Sequence, residues 1–164
     1  MSGINTNPQN TSSGSGAMTL ISSTTISASG TNTVTFSAIP QTYKSLLLQY
    51  QVRSAQASGS NDAIRMRFND DTGSNYNIAY VQQSGGSSLA GGKSLAQTSF
   101  ANALACTNAT AGSATDATSA TIHIPNYAGS TFAKHVTIQE LSGFNSGSLD
   151  YYWCCSSARP SAYS

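Results

Sequence analysis

Apolar side chains recur at every second position in segment after segment of this chain, and that period commits them to half-buried β-strands rather than helices. Leu46, Leu48, Tyr50 and Val52 point one way while Leu47, Gln49, Gln51 and Arg53 point the other. Val34 and Phe36 alternate with Thr33, Thr35 and Ser37; Ile64, Met66 and Phe68 alternate with Arg65, Arg67 and Asn69. Tyr76, Ile78 and Tyr80 follow, then Ile122 and Ile124 with His123 between them, and Val136 and Ile138 between His135 and Gln139. A last strand includes Tyr151 and Trp153. Polar turns such as 57–62 and 69–75 separate the segments, giving about eight strands in all.

Composition points the same way. Charged residues make up 8% of the chain, far below the roughly 25% of an ordinary globular domain. Ser, Thr, Asn, Gln and Gly fill the polar quota instead. These residues compete with the helical backbone for hydrogen bonds and supply few ion pairs at helical spacing. The expected class is therefore all-β, an antiparallel β-sandwich, jelly-roll-like, with an immunoglobulin-like Greek key as the second choice. The 164 residues suffice for one such domain with a real core. Residues 1–17 carry only Ile4 as a sizeable apolar group and are expected to form an extended N-terminal arm, leaving 18–164 as the sandwich domain. The arm is held either by a neighbouring subunit, with Ile4 and Pro8 as contact residues, or against its own sandwich. The stretch of about 84–116 reads as a long polar loop anchored by Leu89, Leu95, Phe100 and Leu104, with room for one irregular strand.

A net charge of +1 offers no general attraction for phosphate polymers or anionic membranes, so neither nucleic acid nor membrane is an expected partner. No apolar run reaches 18 residues, and the first residues lack the basic start and apolar stretch of a signal peptide, so a soluble chain is expected. The three cysteines, with Cys154 and Cys155 adjacent and Cys106 distant, do not form the even framework of a disulfide-stapled domain. Three reduced thiols are expected, although a bridge from Cys106 to either neighbour is compatible with the spacing.

The segment from Tyr43 through Leu46, Leu48 and Tyr50, across Asp62, and on through Arg65, Met66, Arg67, Phe68, Asn69, Asp71, Thr72, Gly73, Ser74, Asn75 and Tyr76 resembles a pattern that recurs in phage virion proteins. The resemblance covers residues 20–82 well and 120–153 loosely. It implies a β-sandwich that decorates the capsid or ends a fibre. The implied protein is a non-enzymatic virion component, assembled in the host cytoplasm and homotrimeric. Its partners would be the major capsid protein or other virion subunits. The C-terminus departs from the pattern: proteins of this kind continue past the aromatic strand, whereas here the chain passes Trp153 into Cys154, Cys155 and Pro160, and the expectation is either an edge strand whose pairing a neighbouring chain supplies or a shorter sheet.

Reactive chemistry finds little footing. His123 and His135 alternate onto the polar sides of their strands, where a nucleophile would lack an oriented base. Adjacent thiols on a strand face opposite ways and cannot readily share a metal, so neither metal nor cofactor is expected. The loop 69–75 has oxygen donors suited to calcium, but the same residue types are what an Asx-rich turn requires. Adhesion is the better prospect. If the 46–53 and 63–68 segments form a hairpin, Arg65 and Arg67 lie beside Gln49 and Gln51, with Arg53 near the turn, as a docking surface for an acidic partner. The aromatics Tyr76, Tyr80 and Trp153 admit a second reading, a tail or capsid fibre that stacks on a host surface glycan.

Overall fold

The computed structural model describes residues 18–26, 33–55, 61–83, 88–100, 105–107, 117–143 and 149–158. For residues 61, 105–107, 142–143 and 149–158 only the backbone is described. The chain divides into two compact units, 1–39 and 40–164.

Within the first unit the described residues form no strand. The alternation at 33–37 therefore does not mark one: Phe36 is exposed and Val34 half-buried, but no ladder joins them to another segment. Ile4 and Pro8 of the expected arm lie outside the described residues.

The second unit is all-β and antiparallel, with no helix among the described residues. The described residues form eight strands: β1 (Ser45–Val52), β2 (Asn61–Ala63), β3 (Tyr76–Gln83), β4 (Leu89–Gln97), β5 (Ala105–Thr107), β6 (Thr118–Pro125), β7 (Lys134–Gly143) and β8 (Leu149–Ala158). Among the described residues they divide into a six-stranded and a two-stranded sheet. The large sheet runs β1-β6-β7-β8-β3-β4, and β2 pairs with β5. Strands β3 and β4 form one hairpin and β6, β7 and β8 a meander. Because β8 pairs with β7 on one side and β3 on the other, the last strand joins these two parts. The open edge expected at the C-terminus is thus corrected: β8 lies inside the sheet, and among the described residues the edges are β1 and β4. The region about 84–116, read as a loop, contains β4 and β5.

Register explains which residues meet. One row crosses the whole sheet through Leu48, Ile122, Ile138, Cys154, Tyr80 and Gly92. Its described residues are buried or half-buried, and Ile122 and Ile138 belong to the core with Tyr76, Ile78, Phe100, Ile124 and Val136. Burying each isoleucine contributes about 1.5–3 kcal/mol. Tyr80 lies across Gly92, where an added Cβ would fall 2.6 Å from the ring carbon that carries the hydroxyl. That cross-strand contact fills the space left by the missing side chain.

Ile64, Met66 and Phe68 do alternate inward and pack on the core, but they are not a regular strand; Met66 makes a single bridge to Phe100. The Phe100 amide donates to the Met66 carbonyl at 3.0 Å, and Arg67 Nε donates to the Thr98 carbonyl at 3.0 Å. The Phe100 ring stands edge-on to Tyr76 and Phe68, with centroids at 4.8 and 5.9 Å. Of the anchors expected in this region, Phe100 is buried, Leu89 and Leu95 are exposed, and Leu104 is outside the described residues.

Candidate functional site: the outward sheet face and its edge

The predicted hairpin between 46–53 and 63–68 does not form. β1 pairs with β6, so Gln49 and Gln51 lie opposite Thr121 and Ser119, while Arg65 and Arg67 sit on the covering segment. The expected cluster of Arg53, Arg65 and Arg67 beside the two glutamines is therefore dispersed. Arg53 is half-buried at the end of β1, next to Ser54, whose hydroxyl donates to Asp62 at 2.8 Å. Asp62 belongs to β2 rather than to the turn expected at 57–62.

The aromatic trio is likewise separated. Tyr76 is fully buried, so it is corrected from a glycan-stacking residue to a core residue. Its hydroxyl accepts from the Phe68 amide at 3.0 Å and donates to the Asp71 carbonyl at 3.2 Å. Burial raises that hydroxyl's pKa above its usual 10.0. Tyr80 is half-buried against the core. Trp153 takes the register position between Gln139 and Val81, two residues that face outward.

The 69–75 loop holds its own carboxylate. The Asp71 amide donates to the Phe68 carbonyl at 2.9 Å across Asn69 and Asp70, both with positive φ, the signature of a type I′ turn. The Asp71 carboxylate then accepts from the Gly73 amide at 2.8 Å and from Asn75 Nδ2 at 2.9 Å. Local donors thus engage the oxygens that a cation would need, which is the Asx-turn arrangement.

What the fold does assemble is a broad outward face. Three adjacent rows cross it: Leu47, His123, Thr137, Cys155, Ala79 and Lys93; Gln49, Thr121, Gln139, Trp153, Val81 and Gly91; Gln51, Ser119, Leu141, Tyr151, Gln83 and Leu89. Among their described side chains Lys93 is the one formal charge, and Leu47, Val81, Leu89 and Leu141 are exposed by 42 to 72%. The chain matches no known family model, no curated protein and no solved structure. The face must be read from its own chemistry. Both histidines lie on it, exposed as the alternation predicts, with His123 opposite Thr137 and His135 two residues before Thr137 in β7. An exposed surface of Gln, Thr and Leu with almost no charge is suited to close contact with another surface, because little desolvation of charge opposes it.

Two polar groups are buried on the other side of this sheet. Lys134 Nζ donates to the Asn126 carbonyl at 3.0 Å, and burial lowers its pKa. Glu140, 1% exposed, accepts from the Tyr50 hydroxyl at 2.9 Å. Alternation in the sequence gives both an inward parity, but charged residue types at inward positions carry no obvious signal of burial.

Proposed function

We propose that this chain is a structural subunit of a phage particle, binding and stabilising the assembled shell as a capsid-decorating protein. The observation that carries the reading is the outward face: a six-stranded sheet exposing Leu47, Val81, Leu89 and Leu141 among polar side chains of which, in the described rows, Lys93 alone is formally charged. Such a face is suited to wide, dry contact with other subunits. The resemblance of residues 20–82 to phage virion proteins supplies the kind of particle. Binding to the assembled lattice in preference to loose subunits then stabilises the shell by mass action. The glycan-binding fibre reading is weaker, because Tyr76 is withdrawn into the core and Tyr80 packs against it.

The test is to localise the chain on purified particles by cryo-electron microscopy and to compare it with a Val81→Lys, Leu141→Lys double variant. We expect many copies per particle on the outer shell, and loss of attachment by the variant with its circular dichroism unchanged. Particles that contain no copies, or a handful at a tail tip, overturn the decoration reading.

A further inference from the structure

The two edges of the large sheet are built differently. Edge β4 is blunted: its register with β3 shifts at a bulge, Ala96 has a φ of 53°, and its amide is taken by the Asn77 side chain at 3.0 Å. Gly91, Gly92 and the cationic Lys93 complete that edge. These are devices that discourage strand addition.

Edge β1 has none of them. Its eight residues, SLLLQYQV, contain no proline, glycine, bulge or charge, and pair with β6 in unbroken register. The direction of the free hydrogen-bonding groups follows from one bond. The Asn126 amide donates to the Lys44 carbonyl at 2.8 Å, so the pair 44/126 is a hydrogen-bonded one. In an antiparallel ladder such pairs alternate with non-bonded ones. Residues 46, 48, 50 and 52 therefore bond to β6, and Ser45, Leu47, Gln49 and Gln51 aim their amides and carbonyls at the open edge. Pro125 agrees with this assignment: lacking an amide, it stands opposite Ser45, at a non-bonded position. Among the described residues no strand pairs with that side of β1.

We propose that two copies of the chain join β1 to β1, antiparallel about a two-fold axis at Leu48, making one continuous sheet. Opposed residues then have numbers of equal parity, so inward positions meet inward and outward meet outward. Ser45 faces Gln51 and Leu47 faces Gln49, each twice by symmetry, and all the outward-aimed backbone groups of these four residues are paired. On the inner side Leu46 meets Tyr50, and Leu48 meets its own counterpart. The strand has no charge between Lys44 and Arg53, so it offers a charged peptide nothing to recognise. Self-pairing needs only that like charges not be opposed, and Lys44 faces Val52. A self-complementary edge closes as a dimer, in place of the three-fold assembly implied by the resemblance. The pairing does not rest on the particle reading.

Sedimentation velocity of the full chain over a concentration series tests it. Gln49→Pro deletes an amide that points away from β6, and an edge strand tolerates proline there. A Leu47→Lys, Gln49→Lys variant sets like charges face to face. We expect the wild type to reach dimer mass, and each variant to dissociate at least tenfold more readily with an unchanged far-UV spectrum; Lys93→Glu on the opposite edge associates as the wild type does. Should the proline variant fail to fold, the lysine variant decides. A wild type that stays monomeric, reaches trimer mass, or associates undiminished when carrying the lysines overturns the proposal.

Discussion

Truncating Phe100 to alanine tests whether one side chain fastens the covering layer to the sheet. The ring is fully buried and touches Tyr76 and Phe68 edge-on. Its segment is otherwise tied to its neighbours by the bridge to Met66 and the Arg67 bond to Thr98 rather than by a regular strand. A buried Phe→Ala change costs about 3–5 kcal/mol, of which each aromatic pair accounts for roughly 0.5–1.5. Because the ring is fully buried and in contact with two other rings, the upper half of that range is expected, a large part of the 5–15 kcal/mol available to a typical domain. Urea unfolding followed by far-UV circular dichroism measures it; with an m-value of about 2 kcal/mol/M, a 4 kcal/mol loss moves the midpoint by roughly 2 M. Phe100→Leu, which keeps most of the volume, is expected to lose about 1.5 kcal/mol. Val81→Ala, on the outward face, should stay within about 0.5 kcal/mol of the wild type. If Phe100→Ala were no more damaging than Val81→Ala, the layer would be held by something other than this ring, and the account of the core would fail.

Two more outcomes follow from the same architecture. Tyr76→Phe removes the acceptor of the Phe68 amide and is expected to cost about 1–3 kcal/mol at neutral pH. Because the folded chain holds the Tyr76 proton above pH 10.0 while the unfolded chain releases it, this hydroxyl's contribution is full below that pH and declines above it. The gap between wild type and variant should therefore narrow in alkaline urea titrations; a gap that widens would contradict the buried setting. Deleting 149–164 removes the strand between β7 and β3 and should abolish cooperative thermal unfolding, whereas a truncated chain that still melts sharply would show that the two parts of the sheet do not need β8.

Period-two patterning made much of this protein legible from sequence. It placed β1, β3, β6, β7 and β8, turned Ile122, Ile138 and Val136 inward, and put His123 and His135 on the solvated side. It also read 64–68 correctly as one-sided, and this is where its reach ends. Alternation reports which side of an extended segment is apolar, a property of neighbouring residues along the chain. Whether a segment enters a ladder, and beside which strand, depends on backbone groups far away in sequence. Met66 alternates like a strand residue yet, among the described residues, makes a lone bridge to Phe100, while β4, with two glycines and a lysine, looks like a loop and becomes an edge strand because β3 pairs with it. The basic cluster was inferred from a hairpin that pairing did not supply and dissolved once β6 took the place beside β1, whereas the aromatic trio parted because Tyr76 turns into the core against Phe100. The sequence by itself determined the all-β class, the inward and outward residues and the poverty of charge. Tertiary structure alone decided that β8 joins the parts of the sheet, that Tyr76 is core, and that β1 is left with an open edge. Those outcomes turn on which distant strands exchange hydrogen bonds, and no local pattern encodes that choice.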